Sequence, residues 1–352
     1  MKLFTLGPVE MYPNTLEAAS KQLPYFRTDD FSKVNLENAS LIKNAAGAAS
    51  DSEVIFLTAS GTAAMEAAVM NSFDASDKLL VINGGGFGRR FAEICGYHEI
   101  PHEAIELSFG EALTQEHLKA YDGKGFTGLL VNIHETTTGQ LYDMNMLSDF
   151  CRRNNLLFVV DAISSFLADS LYMEKSGIDA LIISSQKALA LSPGLSIVLL
   201  SKKIYENRVA HKRPQAMYFD FKDYVLNGKR GQTPFTPAVG ILLELNERLR
   251  QISKEGASDL ISETKALATH FRKGIENLPI GIPAYPLSNA CTPILFERGD
   301  AKEVYTALAN RGLYLNPNGG ELASTVLRVG HIGNLTISDN DSLITALREV
   351  TE

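Results

Sequence analysis

Short apolar runs rich in Val, Ile and Leu recur at 53–59, 79–83, 128–133, 156–161, 180–185 and 196–200, and this recurrence constrains the fold more than any other feature. Each run has the length of one buried strand. Between them, 62–73, 90–96, 145–154 and 167–176 carry apolar residues at helical spacing or strong helix formers. Strands alternating with helices predict an α/β fold with a mostly parallel sheet packed between helical layers. Ligands of such sheets collect at the carboxyl ends of the strands. Those are the points where this chain concentrates its glycines and polar residues.

A long helical pattern at 236–254 begins among prolines and leads into a smaller α+β unit. Its expected pieces are a helix at 258–277, a strand at 292–296, a helix at 301–311, a strand at 326–329 and a closing helix from 339. The predicted division is a large domain at 16–250 and a small domain at 251–352, with residues 1–15 packing beside the small one.

The 352 residues are 45% hydrophobic and 21% charged, enough to bury a sizeable core and unlike a disordered composition. A formal net charge of -8 without any long Lys/Arg run disfavours nucleic acid and anionic lipid as partners. Cys95, Cys151 and Cys291 form no CxxC pair, so neither a disulfide framework nor a zinc site is indicated, as suits a reducing cytoplasm. Pro8 interrupts the start of the chain and no apolar stretch is long enough to span a bilayer, so neither secretion nor membrane insertion is expected.

Chemistry-bearing residues stand at successive strand ends. Ser60, Gly61 and Thr62 lie between a strand and an alanine-rich helix, where backbone N–H groups and hydroxyls suit a phosphate or carboxylate, although a plain helix N-cap would look the same. Phe87 follows three glycines that fail the dinucleotide pattern, placing a ring near a planar ligand or in a tight turn. Next, the strand at 128–133 runs into His134, Glu135, Thr136, Thr137, Thr138 and Gly139. An apolar strand then ends on Asp161, whose carboxylate needs a partner if buried; a protonated pyridine nitrogen, a helix N-terminus or a metal would each serve. The following strand ends in Gln186 and Lys187, an amine able to form an imine if burial lowers its pKa.

In this order the motifs resemble the class V, fold-type I aminotransferases that use pyridoxal 5'-phosphate (PLP), in the branch of alanine:glyoxylate, serine:pyruvate and 2-aminoethylphosphonate:pyruvate aminotransferases. The likeness runs from LGPVEMYP through SGTAAMEAA, GFGRR, HETTTG, DAISS, SSQKAL, PGLS and TPFTPAV to LRVGHIGN. The opening departs from the family's usual PGP, with Leu6 before Gly7 and Pro8, on what would be the substrate-side wall. The resemblance implies that Lys187 forms the Schiff base and shuttles the proton, and that Asp161 pairs with the pyridine nitrogen. It implies further that Phe87 stacks on the ring and that Thr137 or Thr136 bonds near the phenolic oxygen. Ser60, Gly61, Thr62 and Gln186 would hold the phosphate, completed by Thr236 of the neighbouring subunit in a homodimer with shared sites. Arg328 would grip the substrate α-carboxylate by a two-pronged bridge.

The implied activity is ping-pong amino transfer from alanine, serine or 2-aminoethylphosphonate to pyruvate or glyoxylate. A phosphonate donor would call for a further cation, with Arg27, Arg89 and Arg90 as candidates. Rival readings are cysteine desulfuration or C–S lysis on the same cofactor, a PLP-fold binding protein without turnover, and a nicotinamide dehydrogenase resting on the glycine run alone. Gln186 and Phe87 stand where desulfurases of this fold usually carry histidines, and no cysteine occurs in the 320s.

Overall fold

The computed structural model describes residues 1–297 and 299–351. Its large sheet is built from β1 (Glu53–Leu57), β2 (Leu79–Asn83), β3 (His102–Glu106), β4 (Gly128–Asn132), β5 (Leu157–Asp161), β6 (Ala180–Ser184) and β7 (Ser196–Leu200), in the order β1-β7-β6-β5-β4-β2-β3. All neighbours are parallel except β7, which runs antiparallel to both β1 and β6. Alternate residues of one strand feed opposite faces: Leu80 and Ile82 join one core with Leu129, Val131, Phe158 and Val160, while Leu79 and Val81 join a second with Leu130, Leu157 and Val159. A sheet covered on both sides accounts for strands apolar throughout.

The helices that matter for the site are α1 (Asp29–Ala46), α2 (Gly61–Ser72), α3 (Gly86–Tyr97), α4 (Met144–Asn154) and α5 (Val239–Glu255). Helices α2 and α3 start directly after β1 and β2, so their amino ends face the carboxyl edge of the sheet. Helix α5 lays Val239, Leu242, Leu245, Leu249 and Ile252 into the first core, beside Phe31 and Ile42 of α1.

The carboxyl-terminal part has its own three-stranded antiparallel sheet, in which β8 (Cys291–Leu295) and β9 (Asn316–Pro317) flank β10 (Val326–Gly330). Helices α6 (Ala257–Gly274), α7 (Ala301–Asn310) and α8 (Ile337–Thr351) pack around it, with Phe271, Val304, Leu308, Leu343 and Leu347 forming a third core. Phe4 belongs to that core, and Lys2–Leu3 pairs in parallel with Leu313–Tyr314.

Two expectations are corrected. Residues 167–176 form turns instead of a helix: Leu167 has φ 62°, and the buried Asp169 accepts hydrogen bonds from Ser288 Oγ and from Asn289 N (2.9 Å), tying this stretch to the segment that enters β8. Helix α3 starts four residues before the expected 90, so Phe87 sits in its first turn.

Candidate active site

Parallel strands place their last residues on one edge, and here that edge gathers the polar residues. Asp161 closes β5 opposite Asn132 of β4 and Ile182 of β6. Lys187 lies three residues beyond β6, in the connection to β7, and Ser196 of β7 pairs with Ser184 beside it. The α2 and α3 amino ends and the 133–139 segment complete the wall.

Asp161 is 5% exposed and forms no ion pair among the described residues; one oxygen accepts from Ile163 N at 2.8 Å. Burial pushes its carboxyl up to about 7, with the charge of Lys187 opposing part of the rise. Burial likewise brings the Lys187 amine down to about 8, with Asp161 opposing and Arg328 assisting. Lys187 Nζ has no hydrogen-bond or ion-pair partner among the described residues. An acid and a base thus share one edge of the sheet, each biased toward neutrality by desolvation, neither consumed by the other. Gly7, at φ +132°, backs onto this lysine: a Cβ there would stand 2.8 Å from Lys187 Cδ, so only glycine leaves the amine's stem its path.

Ser60 occupies the N-cap position of α2 without a side-chain capping bond, which leaves its hydroxyl uncommitted; Ser60 and Thr62 are exposed and Gly61 is buried. Gln186 Oε1 accepts from Ser184 Oγ at 2.7 Å. Thr137 Oγ1 accepts from Gly86 N at 3.1 Å, and Thr136 Oγ1 pairs with Ser164 Oγ at 2.9 Å. Arg328, on β10, reaches across to donate to Thr136 O (3.2 Å) and to Pro317 O (2.9 Å), while its buried Nε has no partner among the described residues. Burial lowers the Arg328 pKa as well. Thr236 is exposed in the loop before α5 and makes no hydrogen bond among the described residues. Of the three candidate cations, Arg27 donates to Gln232 Oε1, Thr233 O and Pro234 O, Arg89 is exposed beside Glu93 at 3.7 Å, and Arg90 lies over Phe87.

Sequence reasoning left two residues without a role. The Glu135 carboxylate, fully buried, accepts from Phe87 N (3.2 Å), Gly88 N (3.0 Å), Thr137 N (3.0 Å) and Asn132 Nδ2 (2.9 Å), so it caps α3 and fixes Phe87. A Cβ on Gly85 would meet Glu135 Cδ at 2.6 Å, so the glycine run provides the close approach that this cap demands. The second is His134, 2% exposed, neither of whose ring nitrogens has a hydrogen-bond partner among the described residues; burial and then Lys187 bring its pKa down to about 3, so the ring is neutral.

The family model for "Aminotransferase class-V" matches residues 26–333. The chain belongs to the class V aminotransferases. It is 28% identical to the "Soluble hydrogenase, small subunit" of Synechococcus, over 98% of this chain and 91% of the relative. It is 27% identical to the alanine–glyoxylate aminotransferase of Oryctolagus cuniculus, again over 98% of this chain and 91% of the relative. The solved structure of a Thermus thermophilus aspartate aminotransferase of subgroup IV superposes with a TM-score of 0.92 at 28% identity, covering 100% of this chain and 99% of that one. This class V aminotransferase is therefore a PLP-dependent transaminase of fold-type I.

The residues at the strand ends fit that cofactor. A buried carboxylate without an ion pair among the described residues suits a protonated ring nitrogen, and a half-buried amine whose pKa desolvation lowers suits an aldehyde. The α2 amino end, with an uncommitted Ser60 hydroxyl, a Thr62 hydroxyl that accepts from Arg90 Nη1 and can still donate, and no carboxylate, suits a phosphate.

Proposed function

We propose that this transaminase moves the amino group of a small donor, alanine, serine or 2-aminoethylphosphonate, to pyruvate or glyoxylate by a ping-pong mechanism. One observation carries the reading: the buried Asp161 and the half-buried Lys187 lie at neighbouring strand ends, unpaired among the described residues and both displaced toward neutrality. Similarity to the rabbit alanine–glyoxylate aminotransferase supports alanine and glyoxylate as one pair, and the Thermus aspartate aminotransferase adds aspartate to the donors worth testing.

When bound, PLP supplies an aldehyde carbon for an amine and a ring that takes up the electron pair released as an α-proton leaves. Lys187 Nζ holds the cofactor and then removes and returns that proton, a task for an amine whose pKa lies near ambient pH. Asp161 keeps positive charge on the ring nitrogen. Phe87, fixed by Glu135, covers one ring face, and Thr137 or Thr136 meets the phenolic oxygen. Ser60, Gly61, Thr62 and Gln186 hold the phosphate. Arg328 takes the substrate α-carboxylate with its guanidinium fork, which supports a substrate carrying that group, and Gly7 leaves room beside the reacting amine.

The division into a large domain at 16–250 and a small domain at 251–352 with residues 1–15 belongs to the same proposal, as does a cytoplasmic homodimer in which Thr236 of one subunit completes the phosphate site of the other. No helix among the described residues is long and apolar enough to cross a membrane. Desulfuration is disfavoured because Cys291 is fully buried in β8 and burial pushes its thiol up to about 12.

The test is a visible spectrum of the PLP-loaded protein with single anaerobic additions of alanine, serine, aspartate, 2-aminoethylphosphonate and cysteine. Discharge of the cofactor band by one amino donor, reversed by pyruvate or glyoxylate, is expected. Persulfide formation from cysteine, or no discharge by any donor, would contradict the assignment.

A further inference from the structure

The proposed phosphate cradle of Ser60, Gly61, Thr62 and Gln186 contains only neutral donors, whereas a phosphate near neutral pH carries close to two negative charges. The α2 amino end offsets about half an elementary charge. In a chain of net charge -8 the remainder calls for a local cation.

Phe87 and Arg90 lie three residues apart in α3 and so share a helix face. The Arg90 guanidinium carbon stands 4.7 Å from the Phe87 ring centroid, and Nη1 donates to Thr62 Oγ1 at 3.1 Å. The side chain is half-buried and forms no ion pair among the described residues, unlike Arg89, which turns outward to Glu93. A threonine hydroxyl that accepts from a guanidinium keeps its own hydrogen free to donate, and it donates more strongly because the guanidinium polarises it. Arg90 therefore touches two parts of the proposed cofactor site: the Thr62 hydroxyl and the face of Phe87.

We propose that Arg90 is the cation of the cofactor-phosphate site, acting through the Thr62 hydroxyl. This rests on the reading that places the phosphate at the α2 amino end. The contact with Phe87 holds the guanidinium in place by cation–π attraction and leaves the other ring face for the cofactor.

The test is equilibrium dialysis of the apoenzyme with PLP, with pyridoxal, which lacks the phosphate, and with inorganic phosphate as a competitor of PLP. The variants are Arg90→Gln, Arg90→Lys, Thr62→Val and the Arg90→Gln/Thr62→Val pair. Arg90→Gln is expected to weaken PLP about 10- to 100-fold, the range for losing a charge-assisted bond, while pyridoxal changes less than about twofold. Inorganic phosphate loses its power to compete in the same proportion. Arg90→Lys falls between, because it keeps the charge and loses the planar fork. The double variant resembles the weaker single variant, since both remove one coupled interaction. Unchanged PLP affinity in Arg90→Gln overturns the proposal. Equal losses for PLP and pyridoxal also overturn it, assigning Arg90 to the Phe87 ring alone. Should Arg90→Gln fail to fold, Arg90→Lys and Thr62→Val decide by the same PLP-to-pyridoxal comparison. Wild-type protein that binds pyridoxal as tightly as PLP would sink the phosphate reading itself, a result separate from any effect of Arg90.

Discussion

Asp161→Asn is expected to make the cofactor-free protein more stable and the cofactor-loaded enzyme far less active. The carboxyl is raised by burial from 3.8 to about 7. At about 1.4 kcal/mol per pH unit, holding it ionised costs up to about 4 kcal/mol of folding free energy. The sign follows from the raised value: the folded state binds the proton more tightly, so the cost is absent below pH 3.8, grows between 3.8 and 7 and is complete above 7. Asparagine keeps the shape and still accepts from Ile163 N, but carries no charge. Urea unfolding of the two apoproteins should therefore show the variant ahead by about 1–4 kcal/mol at pH 8, with the gap closing near pH 4. With PLP the order reverses. Removing one partner of a buried ion pair costs about 3–5 kcal/mol, so cofactor affinity or turnover should fall about 10²- to 10³-fold. A variant apoprotein less stable at pH 8, or a gap independent of pH, would refute the reasoning.

Lys187→Ala should abolish turnover while far-UV circular dichroism stays unchanged; near-normal transamination would exclude Lys187 as the proton carrier. In single-turnover assays with a saturating donor, the deamination rate should rise with pH and level off above about 8, where the Lys187 amine is free base; a flat profile would move the proton transfer elsewhere. Arg328→Ala should raise the donor KM about 10- to 100-fold, read by initial-rate kinetics, because a two-pronged charge-assisted contact is lost. Glu135→Ala should destabilise the fold by about 1–3 kcal/mol by leaving the Phe87 and Gly88 N–H groups unpaired, with Glu135→Gln recovering part of that in thermal melts.

The strands were legible because a sheet covered on both faces demands continuous apolar runs, and the site candidates because the runs at 53–59, 79–83, 128–133, 156–161 and 180–185 end on or beside residues of distinctive chemistry. Strand direction was not: Ser196–Leu200 is as apolar as its neighbours, so nothing local marks β7 as antiparallel. The start of α3 was missed because its cap, Glu135, lies 47 residues from Gly88 in the sequence. The misread 167–176 stretch fails for the same reason, since Asp169 is satisfied by Ser288 and Asn289, partners more than a hundred residues away. Local propensity favoured a helix there, and distant hydrogen bonds decided otherwise. Arg90 could have been singled out by its spacing of three from Phe87 on a helix, but its contacts with Thr62 and the Phe87 ring, which separate it from the outward-turned Arg89, needed the structure.

The most direct test of the central claim is borohydride reduction of the PLP-loaded protein, followed by proteolysis and mass mapping of the modified peptide. The account predicts the reduced cofactor on Lys187 alone, with none on Lys187→Ala. Modification of another lysine at full occupancy, or none on the wild-type protein, would contradict it.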